Sequence, residues 1–201
     1  EVPGLLAATI SRLCEGQVRE LQHAYDVTRT EEAYLASITG KTASLFSTAC
    51  RIGAIVVGLP RPQIDALTDF GRAYGMAFQV VDDILDVVAD DDQLGKPAGH
   101  DLIEGVYTLP VIRTLAAGTA EADRLRELLG EPLTEEQMHD ARKIVRSNGA
   151  VLSSLVTARA FVDEAEAAMA TVTAGQARDG LAGAAHHLLC SAEDLVAAVV
   201  G

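Results

Sequence analysis

The sequence predicts an all-α protein, and three observations support this fold class. No stretch alternates polar and apolar residues as a β-strand does, and the sequence contains no β-hairpin signal. Helix start and stop signals recur along the chain, while apolar residues repeat at steps of three and four. Hydrophobic residues make up 49% of the 201 residues, yet aromatic residues are only 4% and Trp is absent. A core of Ala, Leu, Val and Ile suits closely packed helices, so we expect a single domain over residues 1–201 with roughly eight to ten helices.

The first predicted helix runs from Leu5 to Tyr25. Its apolar positions form a helical stripe at Cys14, Val18, Leu21 and Tyr25. This spacing is typical of an amphipathic helix. The three cysteines, Cys14, Cys50 and Cys190, form no CxxC pair, which argues against a zinc site or a disulfide framework. They are expected to be small buried residues.

Two more long helices follow. Thr28 with Glu31 has the spacing of a capping box, which predicts a helix from about Glu31 to Val57 that stops at Gly58-Leu59-Pro60. Pro62 stands where a first-turn proline is tolerated, and a helix is predicted from there to about Ala89.

Shorter elements are expected in the second half. The polar segment DDDQLGKPAG is predicted to be a loop, after which Asp101 and Glu104 are candidate caps of a short helix. Threonines at helix starts and glycines at helix ends then divide the chain. The predicted segments are Thr108–Gly118, Thr119–Gly130, Thr134–Gly149 with Gln137 completing a capping box, Val151–Thr171 and Ala177–Val200.

Charge and composition exclude several function classes. The formal net charge is −13, which argues against a nucleic-acid surface and permits cationic partners such as metal ions. The apolar run Ile52–Leu59 is too short to span a bilayer, so no transmembrane segment is expected. The odd number of widely spaced cysteines favours a reducing, cytoplasmic location.

The helix over 62–89 carries two stripes, one apolar and one polar. The apolar stripe repeats at steps of three and four through Ile64, Leu67, Gly71, Tyr74, Phe78, Val81, Leu85 and Val88. The polar stripe, about 100° further round the helix, consists of Gly75, Gln79, Asp82 and Asp86, with Asp83 beside it. This pattern predicts a helix wall that faces a cavity.

Carboxylates one helical turn apart repel each other unless a cation or water lies between them. Asp82, Asp83 and Asp86 are therefore candidate ligands of Mg²⁺, which prefers hard oxygen donors and commonly bridges carboxylates to substrate phosphates. A solvated acidic face is the simpler interpretation of such a cluster. It fits this cluster poorly, because the flanking residues include Phe78, Val81 and Ile84 rather than further charges.

Two lysines are candidates for a bound phosphate group. Lys41 lies among small and apolar residues in the middle of the second predicted helix, and Lys96 lies in the loop after the Asp cluster. Each alone is usually a solvated side chain. Beside an Mg²⁺ site, both are suited to hold a diphosphate as point charges. Thr42 and Gln79 are short, uncharged polar residues that suit the lining of the same cavity.

At these residues the sequence resembles the trans-isoprenyl diphosphate synthases, also called the polyprenyl synthetase family. FQVVDDILD (Phe78–Asp86) is similar to the second aspartate-rich motif, and GKTASLF (Gly40–Phe46) is similar to the Lys-Thr motif. LGKPAGHDLIEG (Leu94–Gly105) and TLP (Thr108–Pro110) are similar to the segment that follows. The resemblance implies a helical bundle of the isoprenoid synthase type around a central cavity.

The resemblance also implies an activity. An allylic prenyl diphosphate would lose its diphosphate with the help of Mg²⁺, and the double bond of isopentenyl diphosphate would attack the resulting cation. It implies that Asp82, Asp83 and Asp86 hold the metal, directly or through water, and that Lys41 and Lys96 bind diphosphate. Thr42 and Gln79 would present oxygen dipoles to the cation, and Phe78 would flank the isopentenyl site. A homodimer is expected.

The sequence departs from the family pattern in three ways. Val106 follows Glu104-Gly105 where the family usually has a lysine, so one diphosphate contact is expected to be weaker. The family's Gly-Glu-x-x-Gln pattern appears as Gly16-Gln17-Val18-Arg19-Glu20, with acid and amide exchanged. The first aspartate-rich motif and the basic residues for isopentenyl diphosphate would lie upstream of residue 1. We therefore expect the C-terminal part of a longer synthase domain, with half of an active site.

Other functions remain open on the sequence. A non-catalytic regulatory subunit of a heteromeric prenyl diphosphate synthase is the main alternative to a polyprenyl diphosphate synthase. Val106 and the absent first motif favour the regulatory subunit, whereas the intact Asp and Lys set favours the enzyme. A terpene cyclase is not expected to carry both motifs, and a helical interaction module is supported by composition alone.

Overall fold

The structure is a computed structural model that describes residues 1–89 and 98–200, with no side-chain description at Val200. The described residues form helices joined by short loops, and no β-strand occurs among them. We number the α-helices in chain order: α1 (Val2–Gln22), α2 (Glu31–Ile38), α3 (Ser44–Val56), α4 (Arg61–Val88), α5 (His100–Ile103), α6 (Leu109–Ala116), α7 (Ala120–Leu128), α8 (Glu135–Ser147), α9 (Ala150–Ala168) and α10 (Gln176–Val200). A π-helical turn (Thr39–Ala43) joins α2 to α3, and a 3₁₀ turn (Met169–Thr171) follows α9. The all-α prediction is confirmed.

Helix α4 is the central element and is covered by α3, α9 and α10. Its most buried residues are Ala73, Ala77, Val80, Ile84 and Val88, each with no exposed surface. The apolar stripe predicted from the sequence is only partly the core face, since Phe78 within it is 38% exposed. A helix surrounded by neighbours buries residues on several sides, so a single stripe underestimates its core.

The carbonyl end of α4 is held by two arginines of α8. Arg142 Nε and Arg146 Nε both donate to the Val87 carbonyl oxygen, at 3.1 and 2.9 Å. The last carbonyls of a helix have no partners within the helix and carry partial negative charge, so cationic donors stabilise this end. Asp82, Asp83 and Asp86 lie within the last two turns of α4, next to this end.

Several predicted helix starts are correct, and two are wrong. Thr119 and Thr134 cap α7 and α8, and Thr134 forms the predicted capping box with Gln137. Helix α2 is capped by Thr30, not by Thr28. The Thr28 backbone N–H and hydroxyl instead both donate to Oδ1 of Asp26, at 2.8 and 2.5 Å.

The second wrong start concerns α5. This helix begins after Gly99, whose φ of +77° favours glycine, so Asp101 is not its N-cap. Glu104 is the C-cap residue of α5, as predicted. The preceding segment 90–97 contains Asp91 and Lys96 and lies outside the described residues, so the predicted loop there remains a prediction.

Helix α1 is buried on the face opposite to its apolar stripe. Its buried residues are Thr9, Gly16 and Glu20, whereas the predicted stripe through Cys14, Val18 and Leu21 is exposed. The small and polar face packs against the π-turn and α2, where the backbones come close. The expectation of buried cysteines is wrong for Cys14, and Cys50 and Cys190 are half-buried. No helix in the described part of the chain is long and apolar enough to cross a membrane.

Candidate active site

A polar cleft of about 250 Å³ lies between α1, α2, the π-turn, α4 and the segment that follows α5. Its lining residues are predominantly polar or charged: Glu20, Arg29, Tyr34, Ile38, Lys41, Gln79, Asp82, Asp83, Asp101, Glu104, Val106 and Thr108. Four predicted site residues thus meet in one cleft, namely Lys41, Gln79, Asp82 and Asp83. They come from two elements, the π-turn and α4.

The two adjacent acids of the aspartate-rich motif have different surroundings. Asp83 is 3% exposed, and its two carboxylate oxygens accept hydrogen bonds from Tyr34 Oη at 2.5 Å and from Gln79 Nε2 at 2.9 Å. Asp82 lines the same cleft and is only half-buried. Asp82 is therefore the more accessible ligand for a cation, and Asp83 is held by the protein itself.

Burial raises the pKa of Asp83 well above its ordinary value, and repulsion from Asp101 and Asp82 adds to this. The hydrogen bonds from Tyr34 and Gln79 act in the opposite direction. The pKa of Tyr34 is also raised, first by burial and then by the charge of Asp83. A cation beside Asp82 and Asp83 would relieve this repulsion.

Asp86 lies one turn further along α4 and does not line the cleft. It is 3% exposed, and its carboxylate accepts hydrogen bonds from the backbone N–H groups of His100 at 3.3 Å and Asp101 at 3.2 Å. The Gly99 N–H donates to the Asp86 carbonyl oxygen at 2.9 Å. Asp86 thus positions the start of α5, and its predicted role as a metal ligand stays a prediction.

Lys41 and Thr42 lie in the π-turn. Lys41 Nζ contacts Glu20 Oε1 of α1 at 2.7 Å, and the Thr42 hydroxyl donates to Gln79 Oε1 at 2.6 Å. π-Helical turns are rare and frequently occur at functional sites. Within this turn, the Lys41 side chain contacts α1, and the side chain of the next residue, Thr42, contacts α4.

Thr42, Gln79, Asp83 and Tyr34 form one continuous hydrogen-bonded chain across the cleft wall. Thr42 donates to Gln79, and Gln79 and Tyr34 both donate to Asp83. Such a connected set fixes the amide of Gln79 in one orientation. Gln79 therefore presents a fixed dipole beside Asp82.

Arg29 is a cleft residue that the sequence did not reveal. Its side chain is 5% exposed, its Nη1 donates to the Tyr107 carbonyl oxygen at 2.9 Å, and its guanidinium lies 5.6 Å from the centroid of the Tyr34 ring. Burial lowers the pKa of Arg29, and the charge of Glu20 opposes that shift. Glu20 and Tyr34 are further cleft residues that sequence reasoning missed as functional.

Two predicted site residues lie elsewhere. Phe78 packs against Phe46 with ring centroids 5.2 Å apart, and it does not line the cleft. Its predicted place beside an isopentenyl group stays a prediction. Lys96 lies outside the described residues.

The donor set of the cleft fits a hard cation only in part. Carboxylate oxygens of the Asp82 kind suit Mg²⁺. Among residues 1–89 and 98–200, however, no group of three or more His, Cys, Asp or Glu side chains is arranged to hold a metal ion by itself. The residues fit an ion that takes its remaining ligands from water or from a bound anion. The protein is thus an all-α bundle with a cleft that places carboxylates beside Lys41 and Arg29.

Comparison with known proteins agrees with this class. The model of the polyprenyl synthetase family matches residues 1–146. The chain therefore belongs to the polyprenyl synthetase family, which confirms the resemblance of the motifs. Heptaprenyl diphosphate synthase component 2 of Bacillus subtilis is 32% identical over 184 residues, which cover 92% of this chain and 52% of that protein.

Other relatives give the same picture. Octaprenyl diphosphate synthase of Escherichia coli is 33% identical over 183 residues, covering 90% of this chain and 57% of that protein. The crystal structure of a polyprenyl synthase from Caulobacter crescentus, in complex with calcium and isoprenyl diphosphate, matches with a TM-score of 0.88 and 33% identity. The match covers 94% of this chain and 58% of that one. The chain spans about half the length of the curated relatives it matches.

Proposed function

We propose that this chain is part of a prenyltransferase that condenses isopentenyl diphosphate with an allylic prenyl diphosphate to make a longer all-trans polyprenyl diphosphate. The observation that carries the proposal is that Asp82, Gln79 and Lys41 lie in one cleft of a polyprenyl synthetase family member. Names of relatives such as octaprenyl diphosphate synthase support the same reaction class.

The proposed roles follow from the surroundings of each residue. Asp82, assisted by Asp83, would hold Mg²⁺, which would neutralise the leaving diphosphate. Lys41 would bind a diphosphate oxygen by its ammonium group, exchanging its contact with Glu20 for the substrate. Gln79 and Thr42 would direct their oxygen atoms towards the allylic cation that remains.

The carbon chemistry requires that water be kept from this cation. Departure of the diphosphate leaves an allylic carbocation, to which the isopentenyl double bond adds, forming a new carbon–carbon bond. A proton is then lost to the released diphosphate, which restores a double bond. The apolar residues that line the cleft, Ile38 and Val106, would help to exclude water from this cation.

The test is an isopentenyl transfer assay on the full-length protein that carries these residues. Radiolabelled isopentenyl diphosphate is incubated with each allylic primer and Mg²⁺, and the extracted products are sized. We expect labelled polyprenyl products that are absent when the metal is chelated. A folded protein that gives no product with any primer contradicts the proposal.

The alternative is a non-catalytic subunit of a heteromeric synthase. It is favoured by the name of the Bacillus subtilis relative, which is one component of its enzyme, and by Val106 in the cleft. A regulatory subunit is expected to be inactive alone and to change the activity or product length of a catalytic partner when the two are mixed. Activity of the purified protein alone, as a homodimer, would exclude this alternative.

A further inference from the structure

We propose that Arg29 binds the diphosphate group in this cleft, pairing side-on with two of its oxygen atoms. This role rests on the proposed function, because it names a further substrate contact of the same site. It concerns a residue that lies outside both sequence motifs.

Arg29 is an arginine that is buried without being fully satisfied. It is 5% exposed, and neither Nε nor Nη2 has a hydrogen-bond partner among the described residues. Buried charged donors without partners are strongly unfavourable, so native proteins rarely retain them without a ligand or water. Because Arg29 lines the cleft, its partner is expected to occupy the cleft.

The unpartnered atoms form one edge of the guanidinium. Nε and Nη2 carry the two parallel N–H groups that pair side-on with a carboxylate or a phosphate. The third nitrogen, Nη1, is fixed on the Tyr107 carbonyl oxygen, and the ring of Tyr34 lies beside the group. The guanidinium is therefore anchored on one side and presents a preorganised donor edge on the other.

The acids around Arg29 already have other partners. Both oxygens of Asp83 accept hydrogen bonds from Tyr34 and Gln79, and Oε1 of Glu20 contacts Lys41. None of these carboxylates satisfies the free edge of Arg29. An oxyanion that bridges Lys41, Arg29 and a metal ion at Asp82 would do so, and a diphosphate has this chemistry.

The position of Arg29 also compensates for a residue that is absent. Val106 lines the same cleft and is the neighbour of Tyr107, to which Arg29 is anchored. A lysine at position 106 would place its charge in the region that Arg29 occupies. Arg29, in the segment before α2, thus gives the cleft a cation that Val106 in the segment after α5 does not provide.

The test is calorimetric titration of the full-length protein with inorganic diphosphate in the presence of Mg²⁺. Arg29→Gln should weaken diphosphate binding by about tenfold or more, as the loss of a charge-assisted contact implies. Arg29→Gln combined with Val106→Lys should recover most of that affinity, because it returns a cation to the cleft. The matched control is Arg61→Gln, an exposed arginine at the far end of α4, which should bind diphosphate as the wild type does.

The rescue separates binding from a structural role. If Arg29 only holds Tyr107 and Tyr34 in place, a lysine at position 106 cannot restore affinity, and that result overturns the proposal. Unchanged diphosphate affinity in Arg29→Gln overturns it too. If Arg29→Gln does not fold, Arg29→Lys decides, since lysine keeps the charge but lacks the parallel N–H pair. Weaker binding in that variant supports the proposal, and wild-type binding overturns it.

The same variants distinguish this inference from the proposed function. If Arg29→Gln loses diphosphate affinity but the wild type transfers no prenyl group, then Arg29 binds diphosphate and the proposed prenyltransferase activity is wrong. If Arg29→Gln transfers prenyl groups with an unaltered KM for the allylic diphosphate, then the prenyltransferase activity is correct and the proposed role of Arg29 is wrong.

Discussion

At the scale of single residues, the aspartate-rich motif contains three acids in three environments. Asp82 is accessible from the cleft, Asp83 is held by Tyr34 and Gln79, and Asp86 holds the start of α5. The same residue type in one short segment is therefore expected to serve different purposes. Substitutions at these positions should separate activity from stability.

Asp82→Asn should lower prenyl transfer by about two orders of magnitude or more, as expected for loss of a group that stabilises charge in the transition state. The melting temperature should be unchanged or higher, because the charge of Asp82 repels that of Asp83. Turnover and thermal unfolding are measured on the same preparations.

The matched control for Asp82 is Asp69→Asn, which removes an exposed carboxylate from the same helix. It should leave both turnover and melting temperature near those of the wild type. A large drop in the melting temperature of Asp82→Asn, with normal turnover, would show that Asp82 is structural.

The buried carboxyl group of Asp83 should make the free energy of unfolding depend on pH. Its pKa is raised in the folded state, mainly by burial, so the folded protein retains a proton that the unfolded chain releases above about pH 4. The difference in the free energy of unfolding between the wild type and Asp83→Asn should therefore fall as pH rises. The fall should begin near the pKa of Asp83 in the unfolded chain and end near its raised pKa in the folded protein. Urea unfolding at a series of pH values, without divalent metal, measures this difference. A difference that is independent of pH contradicts the assigned environment.

At the scale of elements, the π-turn is positioned by the close approach of α1. A β-carbon at Gly16 would lie 2.4 Å from the Lys41 backbone nitrogen. Gly16→Ala should therefore push α1 from the π-turn, destabilise the protein by about 1–3 kcal/mol and impair the pairing of Lys41 with Glu20. Chemical denaturation and the KM for allylic diphosphate measure the two effects.

Gly4→Ala on the same helix provides the control. A β-carbon there has no neighbour within 4 Å. The substitution should stabilise the helix by roughly 0.5–1 kcal/mol, because alanine has the higher helix propensity. If Gly16→Ala behaves like Gly4→Ala, then α1 can move away from the turn without loss.

The helices themselves were largely predictable, because their signals are local. The capping box of Thr134 and Gln137 spans only three residues, and it forms as predicted. Thr28 failed as a cap because Asp26, two residues earlier, takes both its N–H and its hydroxyl. The buried side of α1 was missed, since Gly16 and Glu20 are buried by close backbone packing and by an ion pair rather than by hydrophobicity.

Site residues could be predicted from the sequence only where they lie within a short motif. Lys41, Gln79 and Asp82 could be found in short segments that resemble a known family. Arg29 and Tyr34 could not, because their partners Tyr107 and Asp83 are distant in sequence and meet them only in the folded chain. No local spacing encodes such contacts.

At the scale of the whole molecule, α1 presents an apolar row to solvent. Leu6, Ile10, Val18 and Leu21 are between 49% and 63% exposed. Contiguous apolar surface of this kind marks a contact face. Ile10→Lys should reduce the association of the 201-residue chain, whereas Val156→Lys, at an exposed apolar residue of α9, should not. Sedimentation velocity measures the association state, and equal association of both variants contradicts a specific face on α1.

We propose that the cleft binds Mg²⁺ and diphosphate together rather than separately. Because the acids of the cleft supply few ligands and Mg²⁺ releases water reluctantly, the ion needs the oxygens of the anion as well. The most direct measurement is calorimetric titration of the protein with Mg²⁺, with and without inorganic diphosphate. We expect weak or no binding of Mg²⁺ alone and tight binding once diphosphate is present. Tight Mg²⁺ binding without diphosphate, or no binding of either when the other is present, would contradict joint binding.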